Sequence, residues 1–343
     1  MIALPITVLL VGAVVLFAGG GGGTRQRGGP PVHHVLRPGF ERGANVTAYV
    51  EAALAGPRAD AALVGLRRLG ADAVTFPLLW FEDARDSAQL APDRRQTPSD
   101  RSVLHAMAVA HVLGMRVTLT PIVSVRDGTF RGMLAPSDRA AWFHSYRRML
   151  GHYANLARRG SAVRLVVGSE LTSMTGDTAA WQNLIRLARS RFGGQLTFAA
   201  NWVAGAEQIG FWPSLDAIGV DAYMPLTASP DPSTADLRAA WQPWIARLGA
   251  LHQRTRRPVV VTEFGFPSRL GAAARPSVEG SGPIDQAPQA RAIAAALDAL
   301  GHQPWITGAF VWDWSAEGRE PSNGGGYSPQ GKQAQTVLGR FWR

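Results

Sequence analysis

The chain has 343 residues, 46% of them hydrophobic, which is ample for the core of one large domain or two small ones. It contains no cysteine, which excludes disulfides, thiolate catalysis and cysteine-ligated metals. The formal charge of +10 is almost all arginine, and pairs such as Arg67-Arg68, Arg147-Arg148 and Arg158-Arg159 fall on helical stretches, so the charge reads as solvated helix faces rather than a nucleic-acid groove.

Residues 2–18 are apolar throughout, a length between a signal-peptide core and a membrane-spanning helix. Glycines 19–23 follow as a flexible linker, then Arg25 and Arg27. Residues 1–23 are therefore read as a signal peptide or membrane anchor plus a glycine linker. The glycines are no phosphate loop, because no Gly-Lys-Ser/Thr follows them. His33-His34 lie in the approach to what comes next.

From residue 35 to 343 short apolar runs alternate with helical stretches in one continuous series. A weak first strand is expected within Val35–Phe40, then a helix over Ala61–Leu69 and a strand over Ala73–Leu79 ending in Trp80-Phe81. Ser99-Asp100 can cap a helix running to Leu113, with Val103, Ala106, Met107 and Ala110 on one face, and Gly114 closes it. Arg116–Val123 is the third strand, a long helix covers about residues 138–158, and residues 163–170 are the fourth strand. Trp181–Arg191 is helical; Gln195–Ala200 and Leu215–Tyr223 are the fifth and sixth strands. A helix over Ala235–Gln253 precedes the seventh strand at 258–263. Gln289–Leu300 (helix), Thr307–Trp314 (eighth strand) and Gln333–Phe341 (closing helix) complete the series. Eight strands in βαβα alternation predict an α/β fold, a (β/α)8 TIM barrel preceded by the apolar segment. The Gly/Pro/Ser-rich stretches 271–284 and 317–328 are expected to be long βα loops over its active face.

Two of these strands end in a glutamate, at Glu170 and Glu263. Catalytic groups of such a barrel sit at the C-terminal ends of its strands, and two carboxylates there are the minimal equipment for breaking a glycosidic bond. The other strand ends carry Trp80, Asn201, Trp202, Asp221, Tyr223, Trp312 and Trp314. Indole rings stack on the apolar face of a pyranose, and Asn, Asp and Tyr take hydroxyls, so these are the candidate substrate-binding residues. Each aromatic taken singly is as easily explained by core packing. No His-Glu-x-x-His, no Gly-x-Ser-x-Gly and no dinucleotide fingerprint occurs, so no metal and no cofactor are expected.

Val-Gly-Ser-Glu-Leu, Ala-Ala-Asn-Trp, Gly-Val-Asp-Ala-Tyr, Thr-Glu-Phe-Gly-Phe-Pro-Ser and Phe-Val-Trp-Asp-Trp-Ser occur in that order, followed by Tyr-Ser-Pro-Gln-Gly-Lys-Gln-Ala near the end. As an ordered set they resemble the strand-end motifs of the clan A retaining glycoside hydrolases, most of all glycoside hydrolase family 113, the β-mannanase family. The resemblance implies that Glu170 is the acid/base, Glu263 the nucleophile, Tyr223 a partner of the nucleophile, and Trp312 or Trp314 the floor of a sugar subsite. It also implies an endo-acting hydrolase of a β-linked polysaccharide, β-1,4-mannan-like, with a transglycosylase of a cell-envelope or exopolysaccharide glycan, or a non-catalytic glycan-binding barrel, as alternatives. One position departs from the pattern. Many clan A enzymes carry Asn directly before the acid/base, where it meets the substrate 2-hydroxyl; here it is Ser169.

The two carboxyl groups should face one another about 5–5.5 Å apart, as retention requires, with Glu170 protonated and Glu263 ionised. The partner is an oligosaccharide or polysaccharide, an acidic one remaining open, with no nucleic acid; the protein is expected to be a monomer. The location is expected to be periplasmic or extracellular, free or anchored through residues 2–18, because such an enzyme must reach its polymer. Arg25 and Arg27 beyond the apolar run pull the other way under the positive-inside rule.

Overall fold

The computed structural model describes residues 36–279, 282–318 and 324–343. The apolar segment 2–18, the glycine linker and His33-His34 lie outside the described residues, and no helix among those described is long and apolar enough to cross a membrane. Eight strands close into a barrel in sequence order: β1 (Glu41–Thr47), β2 (Ala73–Glu82), β3 (Arg116–Val125), β4 (Arg164–Ser169), β5 (Gln195–Asn201), β6 (Ala217–Asp221), β7 (Val259–Phe264) and β8 (Ile306–Ser315). All neighbours are parallel, and β8 pairs back onto β1.

The helices α1 (Pro57–Leu69), α2 (Asp100–Val112), α3 (Arg139–Arg159), α4 (Thr178–Arg191), α5 (Trp202–Gln208), α6 (Thr234–Thr255), α7 (Gln286–Gly301) and α8 (Gln333–Trp342) form the outer layer. Their starts follow from local chemistry. The Ser99 side chain accepts from the Ser102 N–H, Asp138 from the Ala141 N–H, and Ser233 and Asp236 form a reciprocal capping box. Gly70 ends α1 at φ 106°, and a Cβ there would stand 2.3 Å from the Trp342 carbonyl oxygen, so both the conformation and the contact with α8 require glycine.

The first strand is the one whose expected span fails. It runs from Glu41 to Thr47, not within Val35–Phe40. Its sequence, Glu-Arg-Gly-Ala-Asn-Val-Thr, has no apolar run because Glu41, Asn45 and Thr47 point into the barrel and are bonded there. The short helix α5 was also not expected. It has only seven residues directly after β5.

Period-two alternation sends one set of side chains into the barrel and the other into the helical layer. Ala73, Ala217, Val260 and Phe310 form their own small buried cluster inside, and the Phe310 ring fills the space that a side chain at Gly43 would take. The outward set joins the large core between strands and helices, where Trp181 packs on Phe198 and Phe211. At the N-terminal end of the barrel, Glu41 accepts both Arg164 guanidinium nitrogens at 2.7 and 3.1 Å and meets Arg116 at 3.3 Å. Arg116 and Arg42 in turn each reach Asp72 at 2.9 Å.

Candidate active site

The irregular ends of the strands decide which side chains face the mouth. The β6–β7 register shifts between Val220 and Asp221, and the β7–β8 register between Val261 and Phe264. Val260 points inward and Phe264 outward, so strict alternation alone would turn Glu263 toward the helices. The bulge re-aims it instead, so that Glu263 Oε2 accepts the Tyr223 hydroxyl at 3.0 Å. At the end of β4, Glu170 takes a left-handed φ of 56°, held by its N–H to the Ala199 carbonyl at 2.8 Å. Trp202, at the β5–α5 junction, also has positive φ, 58°. Such backbone conformations in non-glycine residues cost energy and concentrate at functional sites.

Glu170 and Glu263 are brought to one buried mouth, 7% and 4% exposed. Burial is the main reason both carboxyls lie above their ordinary range. Glu263 is pushed up to about 8, by burial first and then by the charge of Glu170, against the opposing pull of Arg131 and the Tyr223 hydroxyl. Arg131 meets Glu170 Oε2 at 3.1 Å and opposes the effect of burial there. Both carboxyls are raised together, so it is the hydrogen-bond partners, Arg131 on Glu170 and Tyr223 on Glu263, that distinguish the two. Arg131 lowers both carboxyls, but burial outweighs it at each, and the charge of Glu170 adds to the rise at Glu263.

The other sequence candidates divide. Asn201 and Trp312 are half-buried at strand ends facing the mouth, and Asn201 Oδ1 has no hydrogen-bond partner among the described residues. The alternation that puts Phe310 inside puts Trp312 inside as well; the Trp312–Asp313 peptide is cis. Trp314 is on the opposite face of β8, 4% exposed in the core against α1, so it cannot floor a sugar subsite. Trp80 likewise faces outward, its Nε1–H donating to the Tyr153 hydroxyl on α3 at 3.1 Å. Asp221 is fully buried beneath the mouth. It accepts the Thr262 hydroxyl at 2.7 Å and that of Ser169 at 3.4 Å, so its carboxyl supports the site from below rather than meeting a ligand. Burial first, then the charges of Glu263 and Glu170, hold Asp221 well above the carboxylate range. Ser169 is equally enclosed, and its hydroxyl is directed to Asp221 rather than the mouth. Trp202 is half-buried with its ring against the core.

Three contributors had not been singled out. Arg131 sits in a single 3-10 turn, Arg131–Met133, in the β3–α3 loop, with no local pattern to mark it. Asp313 accepts the Thr47 hydroxyl at 2.7 Å, and its charge adds to the rise at Glu263. Tyr327 stands edge-on to Tyr223 at 6.0 Å and donates its hydroxyl to the Pro276 carbonyl at 2.6 Å, joining the β8–α8 loop to the β7–α7 loop over the mouth. Its signal was available, because it opens the Tyr-Ser-Pro-Gln motif.

At the opposite end a cleft of about 500 Å³ opens among Glu41, Arg116, Arg189 and Asp216. Arg116 pairs there with Glu41, and Arg189 with Asp216, so it offers no group ready for chemistry.

The sequence profile described as Glycoside Hydrolase Family 113 matches residues 47–332. The fold is similar to a solved GH113 β-mannanase, AaManA from Alicyclobacillus acidocaldarius in complex with ManMIm, with 28% identity, TM-score 0.79, and 88% of this chain and 96% of that one covered. It is similar to a GH113 β-1,4-mannanase solved as a complex, with 22% identity, TM-score 0.80 and coverage of 88% and 98%. A β-glucuronidase of Ruminococcus gnavus shares the fold at 14% identity and TM-score 0.61, over 90% of this chain and 50% of that one. No curated protein sequence matches.

Proposed function

The chain belongs to glycoside hydrolase family 113 and is a glycoside hydrolase, and on that premise we propose that it cleaves a β-1,4-mannan-like polysaccharide internally, with retention, through Glu170 and Glu263. The observation that carries the reading is the Tyr223–Glu263 hydrogen bond within charge-coupling reach of Glu170, on adjoining irregular strand ends. The mannan-like substrate is supported by the family and by the solved β-mannanases it resembles.

In the productive protonation state the proton sits on Glu170 and Glu263 is the carboxylate. Tyr223 favours this state by donating to Glu263. A Glu263 oxygen attacks the anomeric carbon, and the bond to the leaving oxygen breaks as that oxygen takes the Glu170 proton. Water then attacks the same carbon, gives its proton to Glu170, and the ester electrons return to Glu263. Trp312 and Asn201 stand where a saccharide would meet them. Export, through residues 2–18 as signal or anchor, is part of the same proposal, because the polymer lies outside the cell.

The test uses both glutamates. Glu263→Ala should give no turnover on any substrate, and azide should partly restore it on an activated aryl β-mannobioside with inverted product. Glu170→Ala should lose about 10²–10⁴-fold on mannan yet keep the first step on that aryl donor, whose leaving group needs no proton. Undiminished activity in Glu263→Ala, or equal and unrescuable loss in both, would overturn the assignment.

A further inference from the structure

A residue that must serve as a general acid is an unexpected neighbour for an arginine. The guanidinium of Arg131 stabilises the form of Glu170 that cannot donate. The contact is built in. Arg131 is largely enclosed, with its Nε buried and without a hydrogen-bond partner. The next residue, Gly132, leaves room for only a hydrogen, because a Cβ there would stand 3.0 Å from the Glu170 carbonyl oxygen and 2.4 Å from the Phe130 ring. The Glu170 backbone is tied on both sides, by its N–H to Ala199 and its carbonyl to the Thr172 N–H, each at 2.8 Å. The β3–α3 loop is thus packed onto the acid/base with the Arg131 guanidinium aimed at the carboxyl.

The two halves of the reaction ask opposite things of Glu170. In the free enzyme it must hold a proton; in the glycosyl-enzyme it must be a carboxylate that takes one from water. The groups facing it are Arg131 from the β3–α3 loop, Asp221 from β6, Glu263 from β7, and the hydroxyls of Tyr223 and Tyr327, which respond to its charge. In the free enzyme the repulsion between Glu170 and Glu263 favours a proton on one of them, and the Tyr223 bond assigns the charge to Glu263. When Glu263 becomes a neutral ester that repulsion disappears and Arg131 remains.

We propose that Arg131 is the positioning residue that turns Glu170 from acid into base, by stabilising its carboxylate while Glu263 is esterified. The proposal rests on the roles given to the two glutamates above. No other reactant is needed. The proton leaves Glu170 with the departing sugar oxygen and returns to it from the attacking water.

The experiment is pre-steady-state and pH-dependent hydrolysis of dinitrophenyl β-mannobioside, in which the first step needs no acid. Arg131→Gln should show an initial burst of dinitrophenolate followed by slow turnover. The acidic limb of its kcat profile should move upward by on the order of one pH unit, the shift an opposite charge at this range produces. Raising the pH should restore kcat, and Arg131→Lys should lie nearer the wild type. Arg131→Met supplies the neutral side chain if the glutamine variant does not fold. A uniform loss of kcat with the limb unmoved would overturn the proposal and leave Arg131 a structural residue. Glu170→Gln separates the two readings. If the acidic limb survives in that variant, Glu170 is not the base and the proposed function fails. If the limb vanishes there but stands unmoved in Arg131→Gln, only the role of Arg131 fails.

Discussion

The two ends of this barrel treat buried acids in opposite ways. At the N-terminal end Glu41 is held by a two-pronged bond from Arg164 and by Arg116, and Asp72 by Arg42 and Arg116. At the C-terminal end Glu170 and Glu263 at the mouth and Asp221 beneath it have Arg131 as a cation opposing burial and repulsion, with hydroxyl bonds from Tyr223 to Glu263 and from Ser169 and Thr262 to Asp221. The acids paired with arginines lock the structure. At the mouth, burial and mutual repulsion outweigh the single arginine, and the carboxyls of Glu170, Asp221 and Glu263 are raised. The same residue types are thus locked at one end and, under the proposed function, put to chemistry at the other, and the arginines within reach set the difference.

The comparison breaks most visibly if the lower pairing is removed. Arg164→Ala leaves Glu41 buried with one partner fewer and should cost about 3–5 kcal/mol of stability while the folded fraction keeps its kcat. Denaturant unfolding beside active-site-titrated rates would show the opposite, a catalytic defect without loss of stability, if the lower cluster served chemistry. Tyr223→Phe removes a hydrogen bond to the Glu263 carboxylate, worth roughly 1.5–3 kcal/mol, and should lower kcat by about 10–100-fold with little change in melting temperature. An unchanged kcat would mean that the bond does not select the protonation state. Trp312→Ala should weaken saccharide binding by about 1–3 kcal/mol of lost ring contact, read as a higher KM at nearly constant kcat. A collapse of kcat instead would place the ring in the chemistry.

The smallest effect is the one with a definite sign in pH. The Asp221 carboxyl is raised in the folded state, so it binds a proton that the unfolded chain has already released. Its contribution to stability is complete below the unfolded carboxyl value of about 3.9 and is lost as pH rises above it. Asp221→Asn keeps an acceptor for the Thr262 hydroxyl and cannot ionise. The variant should gain stability relative to the parent at pH 8 and lose that advantage at pH 3.5, measured by urea unfolding at both. A difference independent of pH would show that burial at this position carries no titration cost.

Much of this architecture was legible before any coordinates. Seven of the eight strands fall where short apolar runs mark them, because parallel strands buried on both faces read as continuous apolar segments. Strand β1 was misplaced for the converse reason: its inward face is Glu41, Asn45 and Thr47, whose partners lie on β4, β7 and β8. Of the strand-end candidates, Glu170, Glu263, Tyr223, Asn201 and Trp312 meet at the mouth, whereas Trp80 and Trp314 do not, and Asp221 lies under it. Position at a strand end is written in the sequence; the face on which a side chain emerges is not, once bulges enter.

What the amino-acid order determined by itself is the eightfold alternation and the pair of glutamates at the ends of β4 and β7, because both follow from local periodicity. The tertiary structure alone decided the rest. Closure of the barrel paired β8 with β1, the β6–β7–β8 register shifts turned Glu263 inward, and the packing of the β3–α3 loop brought Arg131 to Glu170. Those outcomes depend on which distant segments share a dielectric and a hydrogen bond, and ring closure fixes that only when all eight strands are in place.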